Sequence, residues 1–261
     1  MDPVGSDLLK PEQLLWWASI VAESVLLATL VRFHLHRKYR WFTAYIVSDI
    51  VCSLAMMWLT PDTHSNAYAY AWLGTQPILL ALQVAVSVEL YRVIASHYRN
   101  FDDMRPRLFW SCLLSAAVVS GLTLFIDLRH IVWTNPLLNS MFLAKRSVTF
   151  ALGGFVIATS IFVRVFQIPI RANVTAHRRV ATVYFLANAG YYFAMGVGLV
   201  KIHAAGIALM VITGACFTAW AVLLKPEGED VDEPPEPTAT EIAAHLERGD
   251  ELLERVREVK R

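Results

Sequence analysis

The chain has 261 residues, of which 56% are hydrophobic and 17% charged, with a mean hydropathy of +0.46. That balance is too apolar for a soluble domain of this length and indicates a membrane chain, with no nucleic-acid partner implied. The formal charge of +1 conceals an asymmetry, because residues 1–225 carry 18 Lys/Arg against 10 Asp/Glu whereas residues 226–261 carry 5 against 12, a basic body followed by an acidic tail.

Residues 1–12 lack the basic start and small-residue cleavage site of a signal peptide and are read as an extracytoplasmic N-terminal segment. The first spanning segment runs from about Gln13 to Phe33, with an interfacial pair, Trp16 and Trp17, near one end. Glu23 stands about ten residues in, ~15 Å deep at ~1.5 Å per residue. After the basic HLHRKYRW the second segment covers about Phe42 to Thr60 and contains Asp49. The third, Ala67 to Ala95, is read as the hub: Gln76, Leu80, Gln83, Ser87 and Leu90 step by four, three, four and three, so two amides and a hydroxyl share a face that should meet protein and not lipid. Glu89 lies near its end, with Arg92 three residues on as a local partner.

The fourth segment, about Leu108 to Ile126, holds nothing ionisable. The fifth, about Leu137 to Val163, carries Lys145 and Arg146 side by side. The sixth, about Val180 to Val200, has Gly190, Ala194 and Gly198 as a ridge for close helix approach. The seventh runs from about Ala204 to Leu224. Residues 225–238 read as an acidic, Pro-rich linker unable to pack, and residues 239–261 as a cytoplasmic amphipathic helix opened by a Thr238/Glu241 capping box.

Seven segments of about 19–29 residues each span a hydrocarbon core of ~30 Å. The connections after the first, third and fifth segments hold twelve Lys/Arg and the opposite side only Lys10, Arg129 and Lys201, which places the N-terminus outside and the C-terminus in the cytoplasm. The fold expected is therefore all-α, a multi-pass seven-transmembrane-helix bundle of residues 13–224 in the cell inner (plasma) membrane, with the lipid bilayer as its surroundings.

Charges inside the membrane cost about 2.5–3.5 kcal/mol each when they face lipid, so each needs a partner or a wet cavity. Glu23, Asp49, Gln76, Gln83, Glu89, Lys145 and Arg146 are the polar-core or ligand candidates. Of the basic pair, Arg146 is expected to face inward, toward the third segment and the acids, because it shares a stripe with Asn139, Thr149 and Gly153; the alternative for the whole set is ion pairing that fixes helix register. Cys52, Cys112 and Cys216 stand singly and read as packing residues. No metal, cofactor, serine-hydrolase or phosphate-loop motif is found, and no catalytic residue is assigned.

Trp72-Leu73-Gly74-Thr75-Gln76-Pro77 looks like the third-helix W-L-x-T-x-P of microbial rhodopsins. Ala71 replaces that family's counterion carboxylate, and the seventh segment has no lysine for a Schiff base, so a retinal protein is rejected. Arg37 to Tyr45, Gln76 to Leu80 with Glu89 to Arg92, and Arg171 to Val174 resemble a group of uncharacterised bacterial seven-helix membrane proteins. That resemblance implies the same bundle and N-out topology, and no activity. The functions expected are a sensor or scaffold whose tail helix meets a cytoplasmic partner or a second copy; next, a small proton-coupled transporter using the intramembrane carboxylates; third, an intramembrane enzyme.

Overall fold

The computed structural model describes residues 11–59, 66–96, 109–111, 113–114, 117–118, 121, 136–165, 170–196 and 202–229. Among them the regular structure is entirely helical. The long helices are α1 (Pro11–Arg32), α2 (Arg40–Leu59), α3 (Asn66–Ser96), α4 (Pro136–Val165), α5 (Ala172–Gly196) and α6 (Ile202–Leu223). The predicted fourth segment is described only at scattered positions, all helical, and the tail from residue 230, with its predicted terminal helix, lies outside the described residues.

Local chemistry sets the ends. Pro11 and Pro136 each open a helix, where the missing N–H costs nothing and φ is already helical. Helix α1 ends at Arg32, and His34 then takes a left-handed φ of 56° that turns the chain into the 3₁₀ turn Leu35–Arg37. Helix α5 begins at Ala172, well before the expected Val180. The basic run Asn173 to Arg179, read in the sequence as connection, is instead the first two turns of the helix, because Asn173, Val174 and His177 are buried there.

The helices touch in chain order, α1 on α2, α2 on α3, α3 on α4, α4 on α5 and α5 on α6, and α6 closes the ring on α1. Five of them contain stretches long and apolar enough to cross a membrane, Gln13–Arg32, Arg40–Leu59, Ala67–Ala95, Leu137–Val165 and Ala204–Leu223, which is compatible with a multi-pass membrane protein. Helix α5, with its polar first turns, is not one of the five. Val21, Val25, Val51, Trp58, Ile78, Ile161, Val183 and Val222 point outward, whereas Glu23, Gln76, Gln83, Ser87, Glu89, Arg146 and Thr149 are buried. A polar inside and an apolar outside suit a bilayer and would be costly in water.

One end of the ring, which collects Arg37, Lys38, Arg40, Arg171 and Arg178, is called the basic end below. Beneath it the aromatic core is stacked edge to face: Phe42 on His177 at 4.5 Å between centroids, and Phe42 on Trp220 at 4.9 Å. Close helix contact occurs at Gly153 of α4, where a Cβ would lie 3.5 Å from Leu186 of α5. Of the expected ridge, Gly190 is exposed with open space before it, and Gly198 lies outside the described residues.

The chain does not leave the bundle at Leu224. Residues Pro226–Glu229 form a 3₁₀ turn, and the compact unit extends to Glu229. The wholly buried Asn173 donates to the Lys225 carbonyl (2.6 Å) and to Glu229 Oε1 (2.8 Å), and accepts from the Lys225 amide (3.0 Å). The Glu229 carboxylate also receives Tyr39 (2.9 Å), Arg171 (3.4 Å) and the Lys38 ammonium. The first residues of the predicted linker are thus clasped between the α1–α2 connection and α5. Gly228 is required for this fit, since a Cβ there would collide with the Asn173 carboxamide.

Ending the chain after Glu229 is therefore expected to leave thermal stability in detergent unchanged, whereas ending it after Lys225 removes the carboxylate and costs about 1–3 kcal/mol. Gly228→Ala in the full chain should resemble the shorter truncation. Equal melting temperatures for the two truncations would show that the clasp contributes nothing.

Candidate functional site

The site is a polar cavity of about 280 Å³ inside the ring, lined from all six long helices. Helix α1 contributes Trp16, Ser19 and Glu23; α2 contributes Asp49 and Cys52; α3 contributes Trp72, Thr75 and Gln76; α4 contributes Lys145; α5 contributes Tyr184, Asn188 and Tyr192; α6 contributes Thr213. Pro77, inside α3, has no N–H for the carbonyl of Leu73, so the helix ladder is interrupted beside the cavity wall.

Glu23 is buried, 3% exposed; Ser19 Oγ donates to its Oε1 at 3.2 Å and no described group reaches its Oε2. Asp49, one helix across, accepts from Tyr45 Oη at 3.1 Å. That hydroxyl meets Tyr184 Oη, and Gln83 Nε2 donates to Tyr184 Oη at 3.3 Å and to Tyr45 Oη at 3.5 Å. A continuous run of hydrogen bonds thus leads from Gln83 through two phenols to the Asp49 carboxylate. Lys145 Nζ donates to Gln76 Oε1, lies 5.8 Å from the Trp72 ring centroid and 5.3 Å from that of Tyr192, and lines the cavity together with Asp49. Opposite charge, amide and aromatic faces together hold an ammonium away from water.

Five of the seven sequence candidates meet around this centre: Glu23, Asp49, Gln76 and Lys145 line the cavity, and Gln83 joins through the phenols. Two do not. Glu89 does not rely on Arg92, which is exposed; its carboxylate accepts the backbone N–H groups of Trp41 (3.0 Å) and Phe42 (3.1 Å) at the start of α2. It is a helix cap supplied by another helix, placing negative charge where the first-turn donors are free. Arg146 is fully buried as expected, Thr149 and Gly153 of its stripe are buried and Asn139 half-buried, and at Gly153 the stripe meets Phe185 and Leu186 of α5. Its guanidinium carbon lies 5.3 Å from the Phe193 ring centroid. Lys145, expected to be the less inward of the two, is the one that donates to Gln76 of α3 and lines the cavity with Glu23 and Asp49.

Sequence reading missed Tyr45, Tyr184, Asn188 and Tyr192. A signal existed, since Tyr45 precedes Asp49 by one helical turn and Tyr184, Asn188 and Tyr192 repeat every fourth residue. Of the cysteines, Cys216 is in the core, Cys52 lines the cavity, and Cys112 lies outside the described residues.

Comparison with protein-family models, with curated proteins and with solved structures finds no match.

A double-mutant cycle separates the two basic residues. Lys145→Met and Asp49→Asn should couple by about 1–3 kcal/mol in thermal unfolding, while Arg146→Met and Asp49→Asn should be additive; coupling through Arg146 alone would restore the sequence expectation. Glu89→Ala should cost about 1–3 kcal/mol, because two buried N–H groups lose their acceptor, and Arg92→Ala should cost under about 0.5 kcal/mol. Equal losses would mean that Glu89 acts through Arg92 after all.

Proposed function

We propose that this chain is a seven-span sensor of the cell inner membrane, N-terminus outside and C-terminus cytoplasmic, which binds a small polar molecule in the inter-helix cavity and passes its occupancy to the tail. The observation that carries the reading is a cavity in which two carboxylates and an ammonium converge from three helices. Structural pairing alone would require close ion pairs and no empty volume, whereas here space remains and one carboxylate oxygen of Glu23 has no described partner. The orientation rests on the lysine and arginine count.

Transmission to the tail follows from the clasp. Glu229 is held at once by Lys38 and Tyr39, between α1 and α2, and by Arg171 and Asn173, at the start of α5. Helices α1, α2 and α5 are also walls of the cavity, so a ligand that alters their spacing alters the grip on the root of residues 230–261. The tail then engages a cytoplasmic protein or a second copy. A second reading, a proton-coupled transporter, is favoured by the phenol and amide run that ends on Asp49.

Cys52 provides the test. With Cys112→Ser and Cys216→Ser, a small charged methanethiosulfonate should modify Cys52 in intact membranes; a wholly unreactive Cys52 would rule out a cavity that exchanges with water. For orientation, a reporter active only in the cytoplasm should work when fused after Glu229 and fail when placed in residues 60–66, and the reverse pattern would overturn the topology. Proton-dependent uptake into proteoliposomes would replace the sensor by the transporter.

A further inference from the structure

The cavity has a neighbour. A second space of about 450 Å³ lies between α3, α4 and α5, lined by Leu138, Phe142, Tyr191 and Met195 and by Tyr68, Trp72 and Tyr192. The last three also line the charged cavity, so the two spaces share one aromatic wall. The first holds all the charge, and the second is aromatic and aliphatic.

Resting on the reading of the charged cavity as a ligand site, we propose that its ligand is a small organic monocation with an apolar arm, the ammonium at Glu23 and the arm reaching past Tyr68, Trp72 and Tyr192 between Leu138, Phe142 and Met195. Charge decides the sign of the head group. Two carboxylates and one ammonium line the cavity, and Lys145 is already engaged by Gln76 and by two aromatic rings. The group left over is Glu23, buried, with Oε2 lacking a described donor. An ammonium brings up to three N–H donors and the missing charge. The shared wall favours the same sign, since the faces of Trp72, Tyr68 and Tyr192 attract cations and repel carboxylates. A carboxylate ligand would have to displace Gln76 from Lys145 and face two acids of its own sign. The apolar second space explains why the head group alone is not enough: a bare ammonium would leave about 450 Å³ of aromatic-lined volume unused.

Three probes with one arm and different charge test the class: phenethylamine, phenylalanine and 3-phenylpropionate, titrated into the purified full-length protein in nanodiscs with tryptophan fluorescence as readout, Trp16 and Trp72 being in the wall. Phenethylamine should bind saturably and at least tenfold more tightly than either of the others, a comparison that needs no variant. Glu23→Gln should weaken it at least tenfold, Lys145→Gln should not, and Met195→Trp should weaken phenethylamine while leaving methylammonium unchanged. Preferential binding of 3-phenylpropionate, or equal binding of phenethylamine to wild type and Glu23→Gln, overturns the cation. If none of the three binds while Cys52 remains reactive, the cation class falls and the ligand cavity stands; if Cys52 is unreactive as well, both fall.

Discussion

Burying charge without water is the constraint that orders this molecule. Each carboxylate or ammonium enclosed by apolar helices is unfavourable by several kcal/mol unless its lone pairs and protons are met, and three of the buried groups here are answered by three different devices. Glu89 is answered by backbone N–H groups, Lys145 by an amide and two rings, and Asp49 by a phenol. These contacts fix the rotation of α2, α3 and α4 about their axes, because a helix turned by one residue moves its side chains through ~100° and would break them all. Apolar packing alone, which is tolerant of such turns, would not choose among them.

The two ends of the bundle use their residues differently. At the basic end the interior is filled: Phe42, His177, Trp220 and Tyr39 stack, and Glu89 and Glu229 bind helix starts and connections together. Farther along the same helices the side chains separate and leave two adjoining spaces. The filled end is thus the one at which Glu229 joins the α1–α2 connection to the start of α5.

Much of this was legible in the residues. The apolar segments near 13–33, 42–60, 67–95, 137–163 and 204–224 carry their own signal in length and hydropathy, and the Gln76, Gln83, Ser87 face is buried as its spacing required. What periodicity could not supply was which neighbour a face meets. The stripe of Arg146, Thr149 and Gly153 is a seam, but α5 fills it. Glu89 was matched to the nearest opposite charge, whereas its partners are backbone groups of a helix forty-odd residues away, which leave no trace in a list of side chains. The basic run before Val180 reads as connection by composition and is helical because tertiary burial of Asn173 and His177 outweighs its polarity. The Pro-rich stretch after Lys225 looked unable to pack, and its first turn packs because one carboxylate finds four donors.

Closure of the ring also constrains how the chain is made. Helices α1 to α5 meet their neighbours in the order in which they leave the ribosome, but the extensive contact of α1 is with α6, the last to emerge. Until then the cavity wall that carries Glu23 has no Thr213 helix beside it. The polar cavity is therefore completed only when α6 packs on α1, the step that encloses Glu23 and Asp49 on their last side.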